Sequence, residues 1–293
     1  MKLGVLDVGT NDVKTIPSRT PIMRSLKIML NYNFRRMPIA DAGTKRLEGI
    51  VSATDILNFL GGGEKHKLVM ERHNGNLFAA VNENVDEIME RKVITVHYTE
   101  SWEDALEIML KKRVGGCPIV NDENKVVGII TERDMIKYLA NQTRLDGYVR
   151  DYMTTNVITV ESSTTIEDAM KIMISKRFRR LPIVKDGVLI GLITAMDILR
   201  FFGGEAFKFL ETGNIKDILQ KPVSTILSMT REPLKFEPRD KISDLVRRMI
   251  ECGAGVALVI ENKKLEGIIT ERDLMNFLYS KVKELQINFY KLI

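Results

Sequence analysis

Four stretches of the chain carry apolar or small residues at i, i+3, i+4 and i+7, the spacing that lines one face of an α-helix. They are Ile22/Ser25/Leu26/Met29, Trp102/Ala105/Leu106/Met109, Ile166/Ala169/Met170/Met173 and Ile242/Leu245/Val246/Met249. Short apolar runs of strand length surround each one. Residues 93–96 and 157–160 precede the second and third helices, and residues 118–120 and 182–184 follow them. A polar turn such as 121–124 comes next, then a further apolar run, then a closing helix such as 132–140. The pattern predicts strand, helix, strand, strand, helix, four times over, and therefore a mixed α/β (α+β) fold.

The last apolar run of each unit has a recurring ending. Gly-Ile-Ile-Thr-Glu-Arg-Asp stands at 128–134 and again at 267–273, with looser copies at 49–55 and 191–197. These copies are too far apart for a solenoid period, and each spans a small subdomain. Odd and even copies differ consistently. The first and third share an Arg-Arg pair before the middle strand and close on glycines, at 61–63 and 203–204. The second and fourth share the Thr-Glu-Arg-Asp ending and carry glycine before the middle strand. A duplicated two-repeat module explains this. The predicted domains are residues 1–144, with repeats at about 8–62 and 85–141, and 145–293, with repeats at about 149–203 and 215–280. The connectors 65–84 and 206–221 are expected to add helical turns.

Charge and special residues narrow the chemistry. Lys and Arg number 44 against 39 Asp and Glu, a net +5 spread among acids. That suits an anionic ligand, but neither a basic helix-turn-helix nor an aromatic-basic surface accompanies it, so nucleic acid is not the expected partner. No stretch approaches the roughly 18 uncharged apolar residues of a membrane span, and a cytoplasmic protein without membrane contact is expected. Cys117 and Cys252 lack CxxC spacing, and His66, His73 and His97 lack metal spacing. No metal site is expected, and both cysteines read as small buried residues.

The repeated ending has chemistry of its own. Ser52, Thr131, Thr194 and Thr270 stand where a helix N-cap belongs, beside free N–H groups and the positive end of the helix dipole, a place that attracts phosphate. Asp55, Asp134, Asp197 and Asp273 lie one turn in. Ser/Thr-x-x-Asp also reads as a capping pair that serves only the helix. Arg35, Arg36, Arg179 and Arg180 precede the middle strands, and Arg133 and Arg272 precede motif aspartates. Guanidinium forks match phosphate oxygens, although such residues equally make surface ion pairs.

The βαββα order with a Gly-apolar-apolar-Thr/Ser-x-x-Asp ending resembles the cystathionine β-synthase (CBS) domain. Four such units in one chain resemble the γ regulatory subunit of AMP-activated protein kinase and its archaeal relatives. The resemblance implies two tandem pairs forming a flat disc, with clefts for adenine nucleotides. It implies that Asp55, Asp134, Asp197 and Asp273 hold ribose. It places the phosphates near Ser52, Thr131, Thr194, Thr270 and the six arginines, and it puts Thr15, Thr95, Thr159, Met37, Cys117 and Leu181 around the adenine. The fourth repeat departs from this, with Lys235 at the threonine place, Ala257 where Met37 or Leu181 stand, and Leu258 instead of proline. The implied ligands are AMP, ADP and ATP, with no catalytic cofactor, and the implied partner is a protein effector, a kinase or another enzyme. S-adenosylmethionine is the alternative adenosyl ligand. CBS pairs also occur in inosine monophosphate dehydrogenase, but the repeats leave no room for a catalytic barrel, so no enzyme activity is expected. Four repeats complete a disc alone, and a monomer or weak homodimer is expected.

Overall fold

The computed structural model describes residues 3–142, 145–209 and 213–290. The four predicted helices are α1 (Ile22–Asn31), α3 (Trp102–Lys111), α5 (Ile166–Ser175) and α7 (Ile242–Glu251). In each, the residues at i, i+3, i+4 and i+7 named above are the buried ones. Every one of these helices ends in a left-handed residue: Asn33, Arg113, Arg177 and Gly253 have φ of 53, 54, 57 and 60°. The next amide then bonds back to the last buried methionine, as in Phe34 N to Met29 O and Val114 N to Met109 O at 2.8 and 3.0 Å. This helix stop aims the chain into the middle strand.

Middle and last strands form antiparallel hairpins. They are β1 (Arg36–Ala40) with β2 (Leu47–Ser52), β4 (Gly116–Val120) with β5 (Val126–Thr131), β7 (Arg180–Lys185) with β8 (Val188–Thr194), and β10 (Val256–Glu261) with β11 (Lys264–Thr270). First strands add in parallel but are shorter than the sequence predicts. β3 is Val96–His97, β6 is Val160–Glu161 and β9 is Leu234–Phe236, while the first repeat has a single bridge, Ile16 to Ile39. Few residues at this edge pair with the middle strand, so Thr95 and Thr159 fall just outside the ladder. The closing helices are α2 (Ala53–Leu57), α4 (Glu132–Gln142), α6 (Ala195–Gly203) and α8 (Glu271–Tyr290). The connectors do hold helical turns, including Leu77–Ala80, Glu205–Phe209 and Lys216–Leu219, although residues 210–212 lie outside the described set.

The chain sorts into two compact units that group alternate repeats. One unit comprises residues 1–13, 94–157 and 233–293, and the other 14–93 and 158–232. The boundary expected at 144 lies within the first unit, on a residue outside the described set. Short lead-in segments account for this sorting. Residues 4–10 belong with the second repeat, where Val5 N bonds Glu100 O and Thr10 pairs with Ile129. Tyr148 and Thr154, at the head of the third repeat, pair with Lys241 and Ile268 of the fourth. In the other unit, Glu90 bridges to Ile50 and Pro222 to Thr165.

Each unit has its own core. The even-repeat core gathers Trp102, Met109, Met135, Leu245, Met249 and Met275. The odd-repeat core gathers Met29, Phe59, Met173, Phe201 and Phe202. Cys117 is buried as expected, but Cys252 is exposed, because it caps α7 on its solvent side. Among the described residues no helix is long and apolar enough to cross a membrane, and no group of three acidic, His or Cys residues could hold a metal ion.

Candidate functional site

The motif aspartates each divide their two oxygens between two tasks. Oδ2 is taken by the helix cap. It accepts from the backbone N–H and hydroxyl of Ser52 at 2.8 and 2.6 Å, of Thr131 at 2.9 and 2.5 Å, of Thr194 at 2.9 and 2.6 Å, and of Thr270 at 2.8 and 2.6 Å. In three of them the aspartate N–H returns to the same hydroxyl, the reciprocal capping box. The first helical N–H is also used. Ala53 and Ala195 donate to Arg35 and Arg179 carbonyls, and Glu132 and Glu271 donate to Gly115 and Gly255 carbonyls. The helix N-terminus therefore offers fewer open N–H groups than the sequence suggests, because the preceding strand and the cap use them.

Oδ1 is where the four differ. On Asp55 it takes the Lys65 ammonium, on Asp197 the Arg200 guanidinium at 3.0 Å, and on Asp273 the Thr154 hydroxyl at 3.0 Å. Asp134 Oδ1 has no hydrogen-bond or ion-pair partner among the described residues. Burial holds the Asp134 carboxyl above the usual carboxylate value, against the opposing pull of the Thr131 hydrogen bonds.

The arginines separate into two settings. In the odd repeats, strand register puts Arg36 directly opposite Ser52 and Arg180 directly opposite Thr194. Directly opposed residues have Cβ atoms about 5 Å apart, so each guanidinium starts beside a helix cap. Gly116 and Val256 hold the equivalent places opposite Thr131 and Thr270. All four odd-repeat arginines, Arg35, Arg36, Arg179 and Arg180, are half-buried and lie in one unit.

Arg133 and Arg272, by contrast, join the second repeat to the fourth. Arg272 pairs with Glu132 at 2.8 Å and Arg133 with Glu271 at 3.4 Å, and the two glutamates are only 1 and 2% exposed. Arg133 also donates to Gly253 O at 2.7 Å and Arg272 to Met109 O at 3.4 Å, carbonyls at the C-terminal ends of α7 and α3, where the helix dipole favours a cation. The structure engages both arginines in this junction. Their glutamate partners, 138 and 140 positions away in sequence, carry no local signal that would have revealed it.

The residues expected around adenine divide as well. Met37, Cys117 and Leu181 are wholly buried on their middle strands. Thr15 and Thr95 are half-buried at the first-strand edge, and Thr159 and Lys235 are exposed. The histidines have local partners: His66 contacts Phe59 O, His73 pairs with Glu83, and His97 pairs with Asp122. Sequence reasoning missed Lys65, Thr154 and Arg200. Of these, Arg200 had a signal, because it follows Asp197 by three residues on one helix face.

Comparison with known proteins follows the same repeats. The CBS domain model matches residues 5–62, 85–141, 149–204 and 223–280. The uncharacterised protein MJ1225 of Methanocaldococcus jannaschii is 36% identical over 280 residues, 94% of this chain and 99% of that protein. Its crystal structure, described as that of a proposed archaeal homologue of g-AMPK, matches with a TM-score of 0.89 at 35% identity, covering 94% of this chain and 100% of that one. An uncharacterised 33.4 kDa protein of Thermofilum pendens is 29% identical over 290 residues, 98% of this chain and 95% of that protein. The inosine-5'-monophosphate dehydrogenase of M. jannaschii is 39% identical over 116 residues, which is 39% of this chain and 23% of the enzyme.

Proposed function

The chain belongs to the CBS-domain family, and from that premise we propose that it is a regulatory adenine-nucleotide sensor, binding AMP, ADP and ATP and relaying occupancy to a protein partner such as a kinase. The observation that carries the reading is the divided carboxylate. With Oδ2 fixed by the cap, Asp134, Asp197 and Asp273 each aim a second oxygen elsewhere, and a ribose diol supplies two O–H donors suited to such an acceptor. Asp134 is the strongest case, since burial penalises its charge and donors from a ribose would relieve that penalty.

Phosphates fall to Arg36 and Arg180, which stand opposite helix caps, with Arg35 and Arg179 beside them. Thr15, Thr95 and Thr159 would border the base at the first-strand edge. Met37, Cys117 and Leu181 would form the wall behind it. The similarity to MJ1225 over nearly the whole chain supports a regulatory rather than a catalytic reading. A sensor must distinguish its ligands by the state each stabilises. Additional phosphates that reach the odd-repeat arginines would supply that difference.

Calorimetric titration of nucleotide-stripped protein with AMP, ADP, ATP and S-adenosylmethionine tests the reading. Micromolar binding of the phosphorylated adenosines, weakened by Asp134→Ala, is the expected result. Binding of S-adenosylmethionine alone would change the ligand, and no heat from any of them would return the motifs to helix caps.

A further inference from the structure

The first repeat differs from the third at one position that bears on its carboxylate. Lys65 follows the glycines 61–63, where the backbone turns through Gly61 at φ 153°. Its own N–H donates to Asn58 Oδ1 at 2.8 Å, which fixes the start of the side chain. Its ammonium then reaches both Asp55 Oδ1 and the Ile88 carbonyl at 2.5 Å. The side chains of Lys65 and Asp55 are 28 and 20% exposed, so the pair sits mostly out of water. With Ser52 on Oδ2, both Asp55 oxygens have strong donors before any ligand arrives.

No other repeat is arranged this way among the described residues. Matching Gly62-Gly63-Glu64 to Gly203-Gly204-Glu205 puts the buried Ala206 where Lys65 stands. Arg200 replaces Asn58, and its contact with Asp197 is a helix-surface pair with the Arg200 side chain 49% exposed. Such a pair is weak and easily exchanged. Asp273 holds only a neutral hydroxyl on Oδ1. A charge-assisted contact from an anchored ammonium is harder for a sugar hydroxyl to replace than either.

We propose that Lys65 is a built-in occupant of the first-repeat carboxylate that keeps this repeat closed to ribose, so that nucleotides fill the other repeats while the first serves as a tie between its closing helix and residue 88. This inference rests on the nucleotide reading above. The test is the number of AMP molecules bound per chain, by calorimetry on stripped full-length protein, for wild type, Lys65→Met, Lys65→Gln and Lys65→Arg. Both neutral variants should bind one more AMP than wild type, and Lys65→Arg should keep the wild-type number. Adding Asp55→Asn to Lys65→Met should remove the extra site. Melting curves establish that each variant is folded, and two neutral variants guard against failure of either. Equal stoichiometry in wild type and folded neutral variants would overturn the proposal while leaving the nucleotide reading intact. No AMP heat from wild type or any variant would remove both.

Discussion

The even-repeat unit and the odd-repeat unit are built from the same βαββα element, yet they place their arginines in opposite ways. In the even unit the motif arginines cross to the neighbouring repeat, where they neutralise Glu132 and Glu271 and cap two helices. In the odd unit, Ala53 and Ala195 occupy the glutamate places, buried to 4 and 3% exposure, and Thr54 and Met196 occupy the arginine places. There the closing helices pack on apolar surface, and the arginines move one strand away, opposite the caps. The same element can thus use cations to join one repeat to another or keep them beside the cap.

The contrast can be broken from either side. The largest effect is expected from Ala195→Glu, which buries a carboxylate in the apolar odd-unit packing and should cost about 3–5 kcal/mol. Denaturant unfolding would measure it, and a loss below about 1 kcal/mol would mean the odd unit also offers a partner there. Glu271→Ala removes one half of the even-unit junction. Because its arginine is partly solvated, the cost should fall below that of a fully buried pair, at about 2 kcal/mol. A double-mutant cycle with Arg133→Ala should recover part of that loss, and strict additivity would deny the coupling.

Arg180→Ala sharpens the difference on the binding side. Its expected effect is about tenfold weaker ATP binding, a smaller loss for AMP, and an almost unchanged melting temperature. Equal losses for both nucleotides would argue against a phosphate role. The smallest effect concerns Asp134. Its folded carboxyl binds protons more tightly than in the unfolded chain, so its contribution to stability falls as pH rises from the ordinary value of 3.8 through the raised one. Asp134→Asn should therefore melt slightly above wild type at pH 7. The gap should close near pH 3, where the wild-type group is protonated in both states. A lower melting temperature at pH 7 would contradict the burial argument.

Much of the fold could be read from periodicity because burial has a period. The four quartets of apolar positions on α1, α3, α5 and α7 are the residues the structure buries. The motif Ser/Thr and Asp were also legible, since a cap and its partner lie three residues apart. What the sequence conceals is any contact without a local spacing. Arg133 and Glu271 meet across the chain, and Lys65 meets Ile88 across a connector. The grouping of alternate repeats was hidden for the same reason, because it depends on segments such as residues 4–10, whose alternation is too brief to show a destination.

Those lead-in segments also have a bearing on synthesis. Val5 is fully buried and Thr10 pairs with Ile129, a partner made about 120 residues later. At about 5–20 residues per second, residues 4–10 wait on the order of ten seconds between their own synthesis and that of this partner. Until residue 94 is made, the short helix Val5–Val8 has no later segment of its own unit to pack against. Slower translation would lengthen the time for which Val5 stays uncovered.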